Sequence, residues 1–325
     1  MNLRTSVRCL LLPACLVFST AALAGDAAHD WLMKINQAAR MLDYEGVFVY
    51  QHETHLEAMR IIHKVENGTA RERLVSLNGA PREIIRDQRE VTCYWPDKNS
   101  VMVEYRKADN QTFPAILPER LQDLDDYYVI QLGNVERITG RPAQRVIIKP
   151  VDQYRYGYHL WADRETGLLL KADLLDTRGK ILEQFMFTQI NIGTEIPASA
   201  LEPGVTGQGM VWHREEEDSK TVSASPGWTA TQLPRGFRLS AHIARQTLMR
   251  KRPVEHLVYT DGLAAVSVFV EKRGEGTKPF MLGSSRMGAV NALGLRVNDY
   301  QITTVGEVPA ETIALIGGSV APVGK

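Results

Sequence analysis

"GVFVYQHETHLEAMRIIHKVENGTARERLVSLNGAPREIIRD", residues 46–87, decides the architecture of the first half of the chain. It opens on a β-branched and aromatic run, then reaches His52-Glu53-Thr54-His55, which resembles the start of a zinc-protease helix. That helix needs its histidines four apart, on one face, with the glutamate beside them as base. Here they are three apart, and on the strand that "GVFVY" predicts, residues three apart face opposite sides. A polar hairpin tip is therefore expected, not a metal site. Asn67-Gly68 and Asn78-Gly79 both tolerate positive φ and so favour tight hairpins. The whole stretch predicts an antiparallel meander.

The pattern continues on both sides. "EVTCYW" (90–95) and "SVMVEY" (100–105) add strands, and "AQRVIIKP", "YRYGYHLWAD", "GLLLKADLLD" and "KILEQFMFTQI" add more. "PAILPERLQDLDDYYVIQL" interrupts them with expected helical turns and loops. Upstream, Trp31, Leu32, Ile35, Ala38, Ala39 and Leu42 recur at helical spacing and predict one amphipathic helix. The fold class is thus α+β, one helix with a large antiparallel sheet.

Arg4 and Arg8, an apolar run and Ala22-Leu23-Ala24 form a secretory signal, residues 1–24. A rival lipobox ending at Cys15 has too short an apolar run before it. The first domain is expected over 25–196. A Pro-, Gly-, Ser- and charge-rich linker spans 197–226, of which "GMVWHRE" is a candidate strand, and a second, smaller α+β domain covers 227–325.

The 325 residues carry 38 basic and 38 acidic side chains, so no basic field points to nucleic acid. Cys9 and Cys15 leave with the signal. Cys93 alone remains, so no internal disulfide is expected, and inside "EVTCYW" it reads as a packed residue. There is no G-x-S-x-G elbow, P-loop or dinucleotide fingerprint. The chain is expected to be neither an enzyme nor a cofactor protein.

What remains is surface and hollow. A curved sheet under a helix can enclose an apolar space for acyl chains. Met59, Ile61 and Val65 share one face of their strand, as do Val101, Val103 and Tyr105 on theirs. Val47 and Val49 oppose Phe48 and Tyr50, and alternation leaves open which pair looks inward; Val47 and Val49 join the candidate lining. Ordinary core packing accounts for the same residues. For a protein partner, "LPRGF" offers Arg235 and Phe237, and "RQTLMRKR" offers Arg245, Arg250 and Arg252.

"GVFVYQ", "LLDTRGKILEQF" (174–185), "LPRGF", "YTDGL" (259–263) and "ITTVGEVPAET" follow one another in the order seen in the periplasmic sigma-E regulatory proteins RseB and MucB, and the mature chain resembles that family throughout. The resemblance implies a LolA/LolB-like half-barrel with covering helices, and a C-terminal domain that binds the periplasmic part of an RseA/MucA-type anti-sigma factor. Bound, such a protein shields that factor from a DegS-type protease; lipopolysaccharide or mislocalised lipid in the hollow releases it. Periplasmic location and a candidate homo-oligomer belong to the same expectation. A lipoprotein carrier of the LolA/LolB type is the alternative.

Overall fold

The structure, a computed structural model, describes residues 21–105, 124–214, 226–247, 250–274 and 282–324, and within these all side chains but those of 21–26 and 244–253. Helix α1 (Ala21–Met41) precedes an antiparallel run: β1 (Tyr44–His52), β2 (His55–Glu66), β3 (Thr69–Ser76), β4 (Glu83–Arg86), β5 (Glu90–Trp95) and β6 (Ser100–Tyr105). Then follow β7 (Tyr128–Ile138), β8 (Arg141–Pro150), β9 (Gly157–Asp163), β10 (Leu169–Leu175) and β11 (Ile181–Ile192). All belong to one sheet of twelve strands, ordered β12-β6-β5-β4-β3-β2-β1-β11-β10-β9-β8-β7, where β12 is Val211–Arg214. Its edges do not meet, so the sheet is open. Ala28, Leu32, Ile35 and Ala38 of α1 are buried at helical spacing in one core with Ile130, Val146, Leu160, Leu170 and Phe187.

The opening stretch forms the hairpins its pattern predicts. His52 pairs with His55 across a turn in which Glu53 has φ 51°, and the two imidazoles stack at 5.2 Å. Asn67 and Gly68, both at positive φ, join β2 to β3. The β3–β4 loop is longer than the tight turn expected from Asn78-Gly79. There the Asn78 side chain accepts from the Ala58 amide (2.7 Å) and donates to the Leu56 carbonyl (2.8 Å). An asparagine that pairs with backbone tethers a loop rather than tightening a hairpin.

The C-terminal domain is a six-stranded sheet, β14-β15-β16-β19-β18-β17, built from β14 (Arg238–Thr247), β15 (Arg250–Thr260), β16 (Ala265–Lys272), β17 (Gly283–Met287), β18 (Val290–Val297) and β19 (Tyr300–Gly306). Helix α2 (Ala310–Gly318) packs on β18 and β19, and β13 (Trp228–Ala230) pairs with β20 (Val320–Pro322). Leu257, Val266, Val268, Ile302, Ile313 and Ile316 form its core. The molecule is mostly β, with more strand than the α+β expectation stressed. Of the stretch predicted as helical turns and loops, residues 114–132, the part up to 123 lies outside the described residues, 124–127 form a turn, and Tyr128 to Leu132 are strand, the start of β7.

Part of the predicted linker is ordered against the large sheet. Leu201 buries against Ile62 beside Ile196, the last residue before the linker, Arg73 donates to the Ala200 carbonyl (3.0 Å), and the Gly204 amide donates to Glu83 (2.9 Å). β12 then pairs in parallel with β6. This return leg covers the outer face of the sheet, so both faces bury apolar side chains.

Candidate functional site: the hollow and the interdomain joint

Directly paired residues on neighbouring strands share a face of the sheet. The ladder Phe48–Met59, Ile61–Leu74, Leu74–Ile84, Ile84–Cys93 and Cys93–Met102 traces the inner, hollow-facing side, with Gly46 opposite Ile61. A cavity of about 570 Å³ opens on this side. Phe48, Met59, Leu74, Ala172, Leu174 and Phe185 give it an apolar floor, and Tyr50, Glu57, Arg82 and Glu183 give it a polar wall. Its volume lies within the range of small-ligand pockets. Leu263 and Glu307, from the second domain, complete it.

Of the eight residues predicted to line the hollow, only Met59 borders this cavity. Ile61 is wholly buried in the core beneath it, and Val65 shares its face farther along β2, half-buried. Val47 and Val49 lie on the opposite side from Phe48 and Tyr50, so the pair that looks inward is the other one. Val101, Val103 and Tyr105 pair with Tyr94, Thr92 and Glu90 on the outer face; Met102 is their inward neighbour. The correction has a physical reason. The register across six strands sets which alternate residues of β6 face inward, and the return leg gives the outer face its own apolar residues.

The second domain meets the hollow through a joint built on Arg155. This guanidinium is fully buried. Nη2 donates to the Arg235 carbonyl at 2.6 Å, while Nη1 and Nε stand 3.2 Å from Asp261 and 3.3 Å from Asp152 as ionic contacts. The rings of Tyr127, Tyr128 and Phe237 lie 5.0–5.5 Å from it, within cation–π range. Asp261 also accepts from the Tyr128 hydroxyl (3.0 Å) and from the amides of Leu263 and Ala264. Burial and the Asp261 charge push the Tyr128 phenol well above its ordinary range, so it stays a donor. Gly236, at φ 88°, lets the chain lie against Tyr127, where a Cβ would stand 2.4 Å from the ring.

Further contacts span the joint. The Tyr156 hydroxyl donates to the Ala289 carbonyl (3.2 Å) and accepts from Asn291 (3.1 Å). Thr312 donates to the Tyr154 carbonyl (2.6 Å), and the Gly288 amide donates to Glu53 (2.8 Å). The His-Glu-Thr-His hairpin tip is therefore a docking contact for the second domain. Phe237, expected as an exposed partner contact, is only 6% exposed and lies under Arg155, while the Arg235 backbone serves the same cluster. The side chains of Arg245, Arg250 and Arg252 lie outside the described residues. Sequence reasoning missed Arg155 and Asp261; the signal was a lone arginine inside the aromatic run "YRYGY".

Among the described residues no cluster of three or more His, Cys, Asp or Glu could hold a metal ion, and no helix is long and apolar enough to cross a membrane. The MucB/RseB N-terminal domain model matches residues 27–205 and the MucB/RseB C-terminal domain model matches residues 222–321. The chain belongs to the MucB/RseB family. It is 35% identical to the sigma factor AlgU regulatory protein MucB of Pseudomonas aeruginosa, over 96% of each chain. To the sigma-E factor regulatory protein RseB of Haemophilus influenzae it is 28% identical, over 91% of this chain and 92% of that one. A crystal structure of MucB in complex with periplasmic MucA matches with a TM-score of 0.70 and 31% identity, covering 92% of this chain and all of the other. MucB/RseB proteins are regulators, not enzymes, and the family motifs "LPRGF" and "YTDGL" here build the joint.

Proposed function

We propose that this chain is a periplasmic negative regulator of a sigma-E-type envelope stress response, acting by binding the periplasmic domain of a MucA/RseA-type anti-sigma factor. The observation that carries the reading is the likeness, through both domains, to MucB solved with periplasmic MucA. Bound in this way, it shields the anti-sigma factor from site-1 cleavage by a DegS-type protease. The hollow beside Phe48, Met59 and Phe185 receives an acyl chain of lipopolysaccharide or mislocalised lipid, and occupancy releases the partner.

Linkage sets the condition. A lipid displaces the partner only if it binds the free form more tightly. Moving the population from nearly all bound to nearly all free takes about a 10⁴-fold difference, ~5.5 kcal/mol. Fluorescence anisotropy of the mature chain against the labelled periplasmic segment of its host's anti-sigma factor, followed by titration with lipopolysaccharide, tests both parts. Binding that lipid reverses is expected. Lipid bound with no partner binding would move the assignment to a carrier of the LolA/LolB type.

A further inference from the structure

Beside the cavity, the joint contains a polar contact unlike the Arg155 cluster. Glu183, on β11, accepts a hydrogen bond from the Tyr50 hydroxyl. Glu307, directly after β19, faces it from the other domain within hydrogen-bonding range, and both line the cavity wall. Two ionised carboxylates are acceptors only, so a hydrogen bond between them requires a proton on one.

Among the described residues no ion pair joins Glu183 or Glu307 to a neighbouring cation. Arg82, across the cavity, is held by Glu57 at 3.0 Å. Lys180 and Arg286 lie with Glu53 and Glu183 in an adjoining polar cleft of about 670 Å³, where Arg286 donates to the Gly288 carbonyl at 2.9 Å. Tyr50 and Tyr158 are neutral phenols, pushed far up by burial and by the carboxylates around them, and Asp261 is engaged by Arg155. We propose that Glu183 and Glu307 form a proton-dependent latch, whose shared proton holds the two domains together in acid and whose loss loosens the joint as pH rises.

The direction follows from linkage. Burial, then the charge and hydrogen bond of Glu183, raise Glu307 to about 7. Undocked, it ionises in the ordinary carboxylate range. Docking is therefore strongest below that range, weakens as pH rises through about 7, and is weakest above it. The full shift corresponds to roughly 300-fold in the docking equilibrium. Glu307 keeps exposed surface, where solvent screens its charge, so the expected loss is about ten- to a hundredfold.

Amide hydrogen exchange on the mature chain, without lipid or partner, reads this independently of the function proposed above. The Gly288 amide, bonded to Glu53 across the joint, reports domain opening, and the β19 amides report unfolding of the second domain itself. After correction for the intrinsic pH dependence of exchange, protection at Gly288 should fall about ten- to a hundredfold between about pH 5 and about pH 8 relative to β19. Glu307→Gln, which stays neutral and hydrogen-bonding, should flatten that profile. Glu183→Gln should reduce its slope by removing the like charge, and the part due to burial should remain. A flat profile in the parent chain, or an unchanged slope in both variants, overturns the latch.

Discussion

The two ends of the interdomain joint handle charge in opposite ways, one fully buried and one at the cavity wall. At one end Arg155 sits between Asp152 and Asp261 under three aromatic rings, so cation and anions neutralise one another. At the other end Glu183 and Glu307 meet as like charges, with the Tyr50 phenol donating to Glu183. The first end pairs opposite charges and needs no shared proton. The second holds only while a proton is present. An interface made this way has a permanent anchor and a conditional contact, and only the conditional one can be tuned without unfolding the domains.

The anchor should give the largest effect. Arg155→Met leaves Asp261 fully buried without its cation, and breaking a buried pair by removing one partner costs about 3–5 kcal/mol. The Tyr128 hydroxyl and the Leu263 and Ala264 amides still bind the carboxylate, which favours the lower part of that range. Arg155→Met/Asp261→Asn, which removes both charges, should be less destabilised than the single variant in chemical denaturation. A single-variant loss within about 0.5 kcal/mol, ordinary for a surface position, would show that the anchor carries no weight.

Gly236 gives the next largest effect. Gly236→Ala places a Cβ against the Tyr127 ring on a backbone at φ 88°. Gly209, at φ 76°, has nothing within 4 Å of its Cβ position, so Gly209→Ala carries the backbone penalty alone. Chemical denaturation of the two variants separates strain from packing. Gly236→Ala should cost about 1–3 kcal/mol more than Gly209→Ala, the overpacking contribution. Equal losses would mean that Tyr127 moves aside freely and that the close approach is not needed for docking.

The local elements were legible because their signals are local. Asn67-Gly68 made its turn, the three-residue spacing of His52 and His55 placed them on a hairpin, and the 3.6-residue rhythm from Leu32 to Ala38 gave α1 its buried stripe. The hollow was not legible to the same degree. Val47 and Val49 are as apolar as Phe48, and only the ladder through β2 and β11 settles which pair faces inward. Val101 and Val103 are fully buried on the outer face, in a sheet whose outer side is covered by chain from beyond β11. The joint depends on Arg155, Asp261, Glu183 and Glu307, which are distant in sequence and meet only when the domains dock. The sequence reading singled out none of the four, because their pairing is a property of the tertiary structure.

The smallest predicted effect sharpens the contrast by reversing its sign within the large domain. His63, fully buried on the inner face, stacks on Tyr44 with ring centroids 4.6 Å apart and bonds the Leu42 carbonyl through Nδ1 at 2.9 Å. Glu72 lies 3.6 Å from Nε2 and would favour a charged ring, but its own charge is met by Arg86 at 3.0 Å. Burial outweighs Glu72 and holds His63 below the ordinary histidine value. As pH falls through about 6.5, the unfolded chain takes up a proton that folded His63 refuses, so this domain loses stability toward acid while the joint gains it. His63→Phe keeps a ring against Tyr44 and cannot titrate, and it forfeits the Leu42 bond at every pH. Denaturation from about pH 7.5 to about pH 5 should therefore give the variant a lower but flatter stability profile. Some slope should survive, because burial also lowers His159. If the parent and variant profiles run parallel, His63 is not the group that opposes the latch.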